Sequence, residues 1–135
     1  GLEAEREALQ AVATDLSERL THCREIVENV PAVVWSARPD GTVEYANRHG
    51  REIAGLAEGA APEQVDPAVL HPADVERCAA GWAEAVRAGV PFEIEYRVKD
   101  PSHGGYRWHV SRAVPVRGQS GVIARWVGTS ASLRK

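Results

Sequence analysis

Apolar residues at the start of the chain fall at Leu2, Leu9, Val12, Leu16, Cys23 and Val30, with Leu20, Ile26 and Val27 widening the stripe. Steps of three, four and seven predict one long amphipathic helix with a heptad seam over residues 2–29. Pro31 ends it, because the residue before a proline is pushed out of the helical region. Such a rod is roughly 40 Å long, more than a small domain needs to cover its own core. Two occupants fit the stripe: the chain's own sheet or, as we favour, a second copy in a parallel dimer seam through Leu2, Leu9, Val12 and Leu16.

After Pro31 the period changes from helix to strand. Residues 32–37 and 42–46 read as strands around the tight turn Pro39-Asp40-Gly41, a hairpin. Asn47 is placed to cap a short helix over 48–54, closed by Gly55, and the stretch from Glu58 to Leu70 reads as loop or single turns. Asp74 then opens a stronger helix whose Val75, Cys78, Ala79, Trp82, Ala85 and Val86 share one face, with Gly89 closing it. Phe92 to Lys99 alternates apolar and charged residues for eight positions, the mark of a strand with one buried face. Strands over 106–116 and 122–133 follow, separated by glycine-bearing turns. The order strand, strand, helices, three strands defines an α+β domain over residues 31–133, preceded by a helical segment over residues 1–30.

Composition narrows this further. At 135 residues, 44% hydrophobic and 26% charged, the chain suits one globular domain plus one extra element. No apolar run reaches membrane-spanning length, so no membrane contact is expected of this segment. The net charge is -3, divided as -4 over residues 1–30, -4 over 31–90 and +5 over 91–135. The positive third spreads Arg97, Arg107, Arg112 and Arg125 along strands, which reads as a solvated sheet face and not as a nucleic-acid site. Cys23 and Cys78 have no Cys-x-x-Cys spacing, so a reducing cytoplasm is the expected setting. The start at Gly1 and the stop just after a strand suggest a piece of a longer protein. Fourteen arginines against two lysines fit a GC-rich bacterial source.

In this order and spacing, Trp35, Pro39-Asp40-Gly41-Thr42-Val43-Glu44-Tyr45-Ala46-Asn47, His71-Pro72-Ala73-Asp74, Trp82, Gly89 to Arg97, Gly105-Tyr106-Arg107-Trp108 and Arg125 to Thr129 are a specific set. Over roughly residues 24–132 the chain resembles the PAS sensory-domain family, in its bacterial form with an extended block of three C-terminal strands. The resemblance implies a five-stranded antiparallel sheet in the order 2-1-5-4-3, flanked by short helices. It also implies a receiver whose state reaches a downstream output domain, such as a kinase, cyclase or phosphatase, through helices that leave the domain and dimerise. The long amphipathic helix resembles the signalling helices that precede such domains.

Catalytic chemistry finds no constellation here. Glu93 and Glu95 fall on the outer parity of their strand, no serine sits in a nucleophile elbow, and no glycine-rich phosphate loop is present. The histidines at 22, 49, 71, 103 and 109 include no i, i+3 or i, i+4 pair, so no metal site is expected. His71, just before a proline at a helix start, reads as a cap or a loop pin, and His109 is placed outward by taking Tyr106, Trp108 and Val110 as inward. Haem-binding relatives of the family take an axial histidine from the main helix, and residues 75–88 have none. Light-sensing flavin relatives need a cysteine in the stretch that here reads Asn47-Arg48-His49-Gly50-Arg51-Glu52. Haem and photoreactive flavin are therefore not expected, and the cofactor, if any, stays unnamed.

Parity selects Trp35, Ile53, Cys78, Trp82, Ile94, Tyr96, Trp108 and Val110, with Val75, Ala79 and Val86, as the lining between sheet and helices. A fully packed core and a cavity holding a small planar or acyl ligand both fit these residues, with Tyr96 and the Trp indoles as polar anchors. The chain reads as a non-catalytic sensory module of a bacterial signalling protein, a sensor histidine kinase first among them. It would act as a homodimer joined to a C-terminal output domain. The competing reading is a stand-alone small-molecule-binding or enzymatic α+β protein with a similar curved sheet.

Overall fold

The computed structural model describes residues 1–56 and 67–133, in two compact units, Gly1–Val30 and Pro31–Lys135. The first unit is helix α1, Leu2–Asn29, with Glu3 and Glu5 in its first turn, where carboxylates complement the helix dipole. Val30 leaves the helix with extended backbone, as Pro31 dictates. The heptad residues of α1 are exposed, Leu9 at 72% and Leu16 at 55%.

The second unit is built on five antiparallel strands: β1 (Val33–Ala37), β2 (Val43–Ala46), β3 (Phe92–Lys99), β4 (Tyr106–Arg117) and β5 (Ile123–Ser132), in the spatial order β2-β1-β5-β4-β3. Two helices lie between the hairpin and the last three strands, α2 (Arg48–Ile53) and α3 (Val75–Ala88). Asn47 explains where α2 starts. Its Oδ1 accepts the Gly50 and Val34 amides at 3.1 Å each, while its Nδ2 donates to the Ala32 carbonyl at 2.8 Å. One buried side chain thus caps a helix and staples it to β1. At the other end of the crossover Gly89 takes φ +67 and returns its amide to Ala85, a left-handed cap that disfavours a side chain.

His71 caps as the sequence predicts: its Nδ1 accepts the Ala73 amide at 3.0 Å, and its own amide donates to Arg97 O. The expected loop over 58–70 falls mostly outside the described residues. Of its visible part, Pro67–Val69 is a 3-10 turn and Leu70 bridges Val98 on β3.

Register fixes which residues share a face, since directly opposed residues in an antiparallel pair point the same way. Phe92 faces Ala113, Ile94 faces Ser111 and Tyr96 faces His109. Gly128 then joins Ala113 and Trp35, and Ser130 joins Ser111 and Val33. The helix-side face of β4 is therefore His109, Ser111 and Ala113. Trp108 and Val110, expected inward, point to the opposite face, where the Arg97 guanidinium stacks over the Trp108 ring at 4.9 Å and Val110 lies opposite Glu95 and Ala131. The large apolar residues of β4 lie on the outer face, Val110 buried there, and the inner face carries the small and polar ones. His109, expected outward, is correspondingly buried.

The core gathers on that inner face. Ala37, Ala113 and Trp126 are buried, with Trp35, Trp82, Val86, Phe92 and Ile123 packed on them. The Trp82 ring meets Trp35, Phe92 and Trp126 edge-on at centroid distances of 5.1 to 5.4 Å, a geometry aromatic rings prefer. Its indole N–H donates to Gly41 O at 2.9 Å, tying α3 to the β1–β2 turn. Gly128 is required where it stands: a Cβ there would come within 2.3 Å of the Trp35 ring.

Candidate functional site

Between the helix-side face of the sheet and helices α2 and α3 lies a cavity of about 520 Å³, and a chamber of about 380 Å³ adjoins it. Sequence chose much of its wall. Trp35, Cys78, Trp82, Ile94 and Tyr96 line the larger chamber, along with Val75 and Ala79, and Ile53 lines the smaller. Val75 stands at the rim, 43% exposed, so α3 lends the cavity an edge as well as a wall. Val86 belongs instead to the packed aromatic core. Trp108 and Val110 line neither chamber, for the reason of strand parity given above.

Several wall residues were not singled out from sequence. Phe92, Leu70 and Ala46 add apolar surface, and Ser111 and Ser130 form a polar patch. The Tyr96 hydroxyl donates to Ser130 Oγ at 3.2 Å, and Ser130 donates to Ser111 Oγ at 3.0 Å. The three hydroxyls come from β3, β5 and β4, brought side by side by the register. Of the polar groups expected in the wall, the Tyr96 hydroxyl belongs to this patch, while the Trp82 N–H is already committed to Gly41. Trp126 is the largest fully buried side chain, and its indole N–H has no partner among the described residues. The alternation Trp126, Gly128, Ser130 was the signal that would have placed it inward.

Burial tunes the ionisable groups around this site. It pushes the Cys78 thiol above its ordinary value, with Asp74 adding to the rise and Arg77 opposing it, so the thiol stays protonated and behaves as a small apolar wall residue. Burial likewise raises the Tyr96 phenol, so its hydroxyl is neutral. His109 lines the smaller chamber, and its ring stacks on Tyr96 at 6.3 Å. Its pKa is lowered, first by burial and then by the charges of Arg107 and His49, against the opposing pull of Asp100.

On the far side of His109 a polar cleft of about 540 Å³ is lined by His49, Glu52, Asp100, His103 and Arg107, together with Pro31, Ala32, Ala131 and Ser132. Asp100 holds Arg107 at 3.1 Å and His103 at 3.3 Å there. Among the described residues no three His, Cys, Asp or Glu side chains gather as a metal site, and no helix is long and apolar enough to cross a membrane.

Comparison with known proteins agrees with this architecture. A family model described as PAS fold matches residues 43–130. The uncharacterized protein y4lL of Sinorhizobium fredii (strain NBRC 101917 / NGR234) is 34% identical over 130 residues, covering 88% of this chain, and the chain spans 15% of that relative's length. Among solved structures, the PAS domain of an HTR-like protein from Haloarcula marismortui aligns with a TM-score of 0.67 at 13% identity, over 92% of this chain and 99% of that one. A sensory box histidine kinase/response regulator from Burkholderia thailandensis E264 aligns with a TM-score of 0.55 at 27% identity, over 80% and 81%. The chain belongs to the PAS-fold family, a class of sensory signalling domain.

Proposed function

We propose that residues 31–133 are the sensory domain of a cytoplasmic bacterial signalling protein, that residues 1–30 are its dimerisation helix, and that the unit makes no bonds of its own. The state of the cavity alters the strain of the sheet, and the segments at the two ends of the domain pass that change to an output domain. A histidine kinase is the first choice for that output, supported by the Burkholderia neighbour. The relative from Sinorhizobium, far longer than the matched segment, supports a domain embedded in a larger chain. The observation that carries the reading is the cavity itself: about 520 Å³ between the sheet and the helices, lined mostly by apolar side chains and within the range of small-molecule sites.

The test fills it. Cys78→Phe places a ring into the chamber from α3 at a wall position. In the full-length protein the expected result is an output activity held at one level, shifted about threefold or more from wild type. An unchanged and still responsive output in a folded variant would refute the coupling.

A further inference from the structure

We infer that this cavity takes an uncharged, largely apolar ligand bearing a hydroxyl, which docks on the cluster formed by Tyr96, Ser111 and Ser130. The inference rests on the reading of the cavity as the sensory site and adds the chemistry of its occupant. The first argument is charge. Among the described residues no Asp, Glu, Lys, Arg or His lines the larger chamber. A carboxylate, phosphate or ammonium group entering it would leave water without a counter-charge, which is costly.

The second argument is where polarity sits. Two adjacent strands each spend an inward position on serine, and both serines are more than nine-tenths buried. Packing alone would be better served by a β-branched apolar residue at these central positions. Instead Ser130 accepts from the Tyr96 hydroxyl at 3.2 Å and donates to Ser111 Oγ at 3.0 Å. Three hydroxyls hold three protons and six lone pairs. Bonds among themselves use at most three of each, so lone pairs remain to accept a proton from the ligand. The cluster is therefore satisfied when empty and still able to receive a hydroxyl, without any group having to ionise.

The third argument is the rest of the wall. Trp35, Trp82 and Phe92 offer ring faces and edges to an apolar body, and the Trp82 N–H is occupied by Gly41. One polar end and one aromatic body are thus expected in the occupant. It is recognised by a single hydrogen-bonding group at a fixed place on the floor.

Calorimetry at about pH 7 with three flat probes, 2-naphthol, 2-naphthoate and naphthalene, tests this on the intact chain. The expected order has 2-naphthol about tenfold tighter than naphthalene and about tenfold or more tighter than the carboxylate. Ser111→Ala with Ser130→Ala should bring 2-naphthol down to the affinity of naphthalene, leaving naphthalene itself within about twofold. Tyr96→Phe, which removes one hydroxyl and keeps the ring, should lower the 2-naphthol preference alone and decides the matter if the double variant does not fold. A carboxylate that binds as tightly as the alcohol, or a preference that survives in folded variants, overturns the ligand class while the cavity reading stands. Failure of all three probes to bind wild type overturns both.

Discussion

Asp74 is only 2% exposed yet carries a charge, because its neighbours are arranged to hold it. Arg97 donates its guanidinium to both carboxylate oxygens, at 2.7 and 3.0 Å, and its backbone amide at 2.8 Å, and Arg77 adds a contact at 3.2 Å. The Arg97 hydrogen bond, above all, keeps the carboxyl well below its usual range despite burial. A group that loses its proton more readily when folded contributes stability that is present above the ordinary value of 3.8 and disappears as pH falls through the depressed one. Asp74→Asn should lower the thermal midpoint by several degrees at neutral pH and flatten the midpoint's dependence on pH below about 4, as followed by circular dichroism. A midpoint unchanged at neutral pH would dismiss the pair as a structural clamp. Residue identity also shows where reading from sequence stops. Phe92, Ile94 and Tyr96 were legible as inward because large apolar and charged residues alternate there without a break. On β4 the large apolar residues lie outward and His109, Ser111 and Ala113 inward. Hydropathy finds where bulk is buried, whereas a cavity is made by positions where bulk is missing, so the floor of the site was hidden from that pattern.

At the level of elements, boundaries followed from local chemistry. Pro31, Asn47, His71 and Gly89 each end or begin an element through a hydrogen bond or a backbone restriction that one residue dictates, which is why these edges were readable in advance. Strand order was not of that kind. It entered through resemblance, because nothing local requires β5 to lie between β1 and β4. Helix α1 poses the opposite case, an element whose spacing is plain and whose occupant is proposed. Its exposed Leu9 and Leu16 suit a seam with a second copy. Leu9→Glu or Leu16→Glu should weaken self-association about tenfold or more in light scattering while leaving the strand signal in circular dichroism intact. Removal of residues 1–20 should give a monomer. Equal masses for the intact and shortened chains would dispose of the seam.

For the whole molecule, His109 joins regions that differ in polarity. His109 lines the smaller apolar chamber beside Tyr96 and also a cleft holding His49, Asp100, His103 and Arg107. Because burial, helped by Arg107 and His49, outweighs Asp100, the folded imidazole resists protonation that the unfolded chain accepts near 6.5. Its contribution to stability is thus complete above 6.5 and declines as pH drops below that value. The thermal midpoint should fall by a few degrees between about pH 7 and 5, and His109→Gln should remove most of that slope; a slope that persists would assign it to other groups. The pairing of β1 with β5 carries a last consequence. Val33 lies opposite Ser130, so the first residues of β1 and the last of β5 sit at the same end of the sheet. Tension between these two ends peels the central pair open rung by rung instead of shearing all its hydrogen bonds at once. Asn47 holds the same end of β1 from its other edge, through the Ala32 carbonyl and the Val34 amide. That single amide side chain therefore keeps the start of β1 tied to α2 while the pairing with β5 opens.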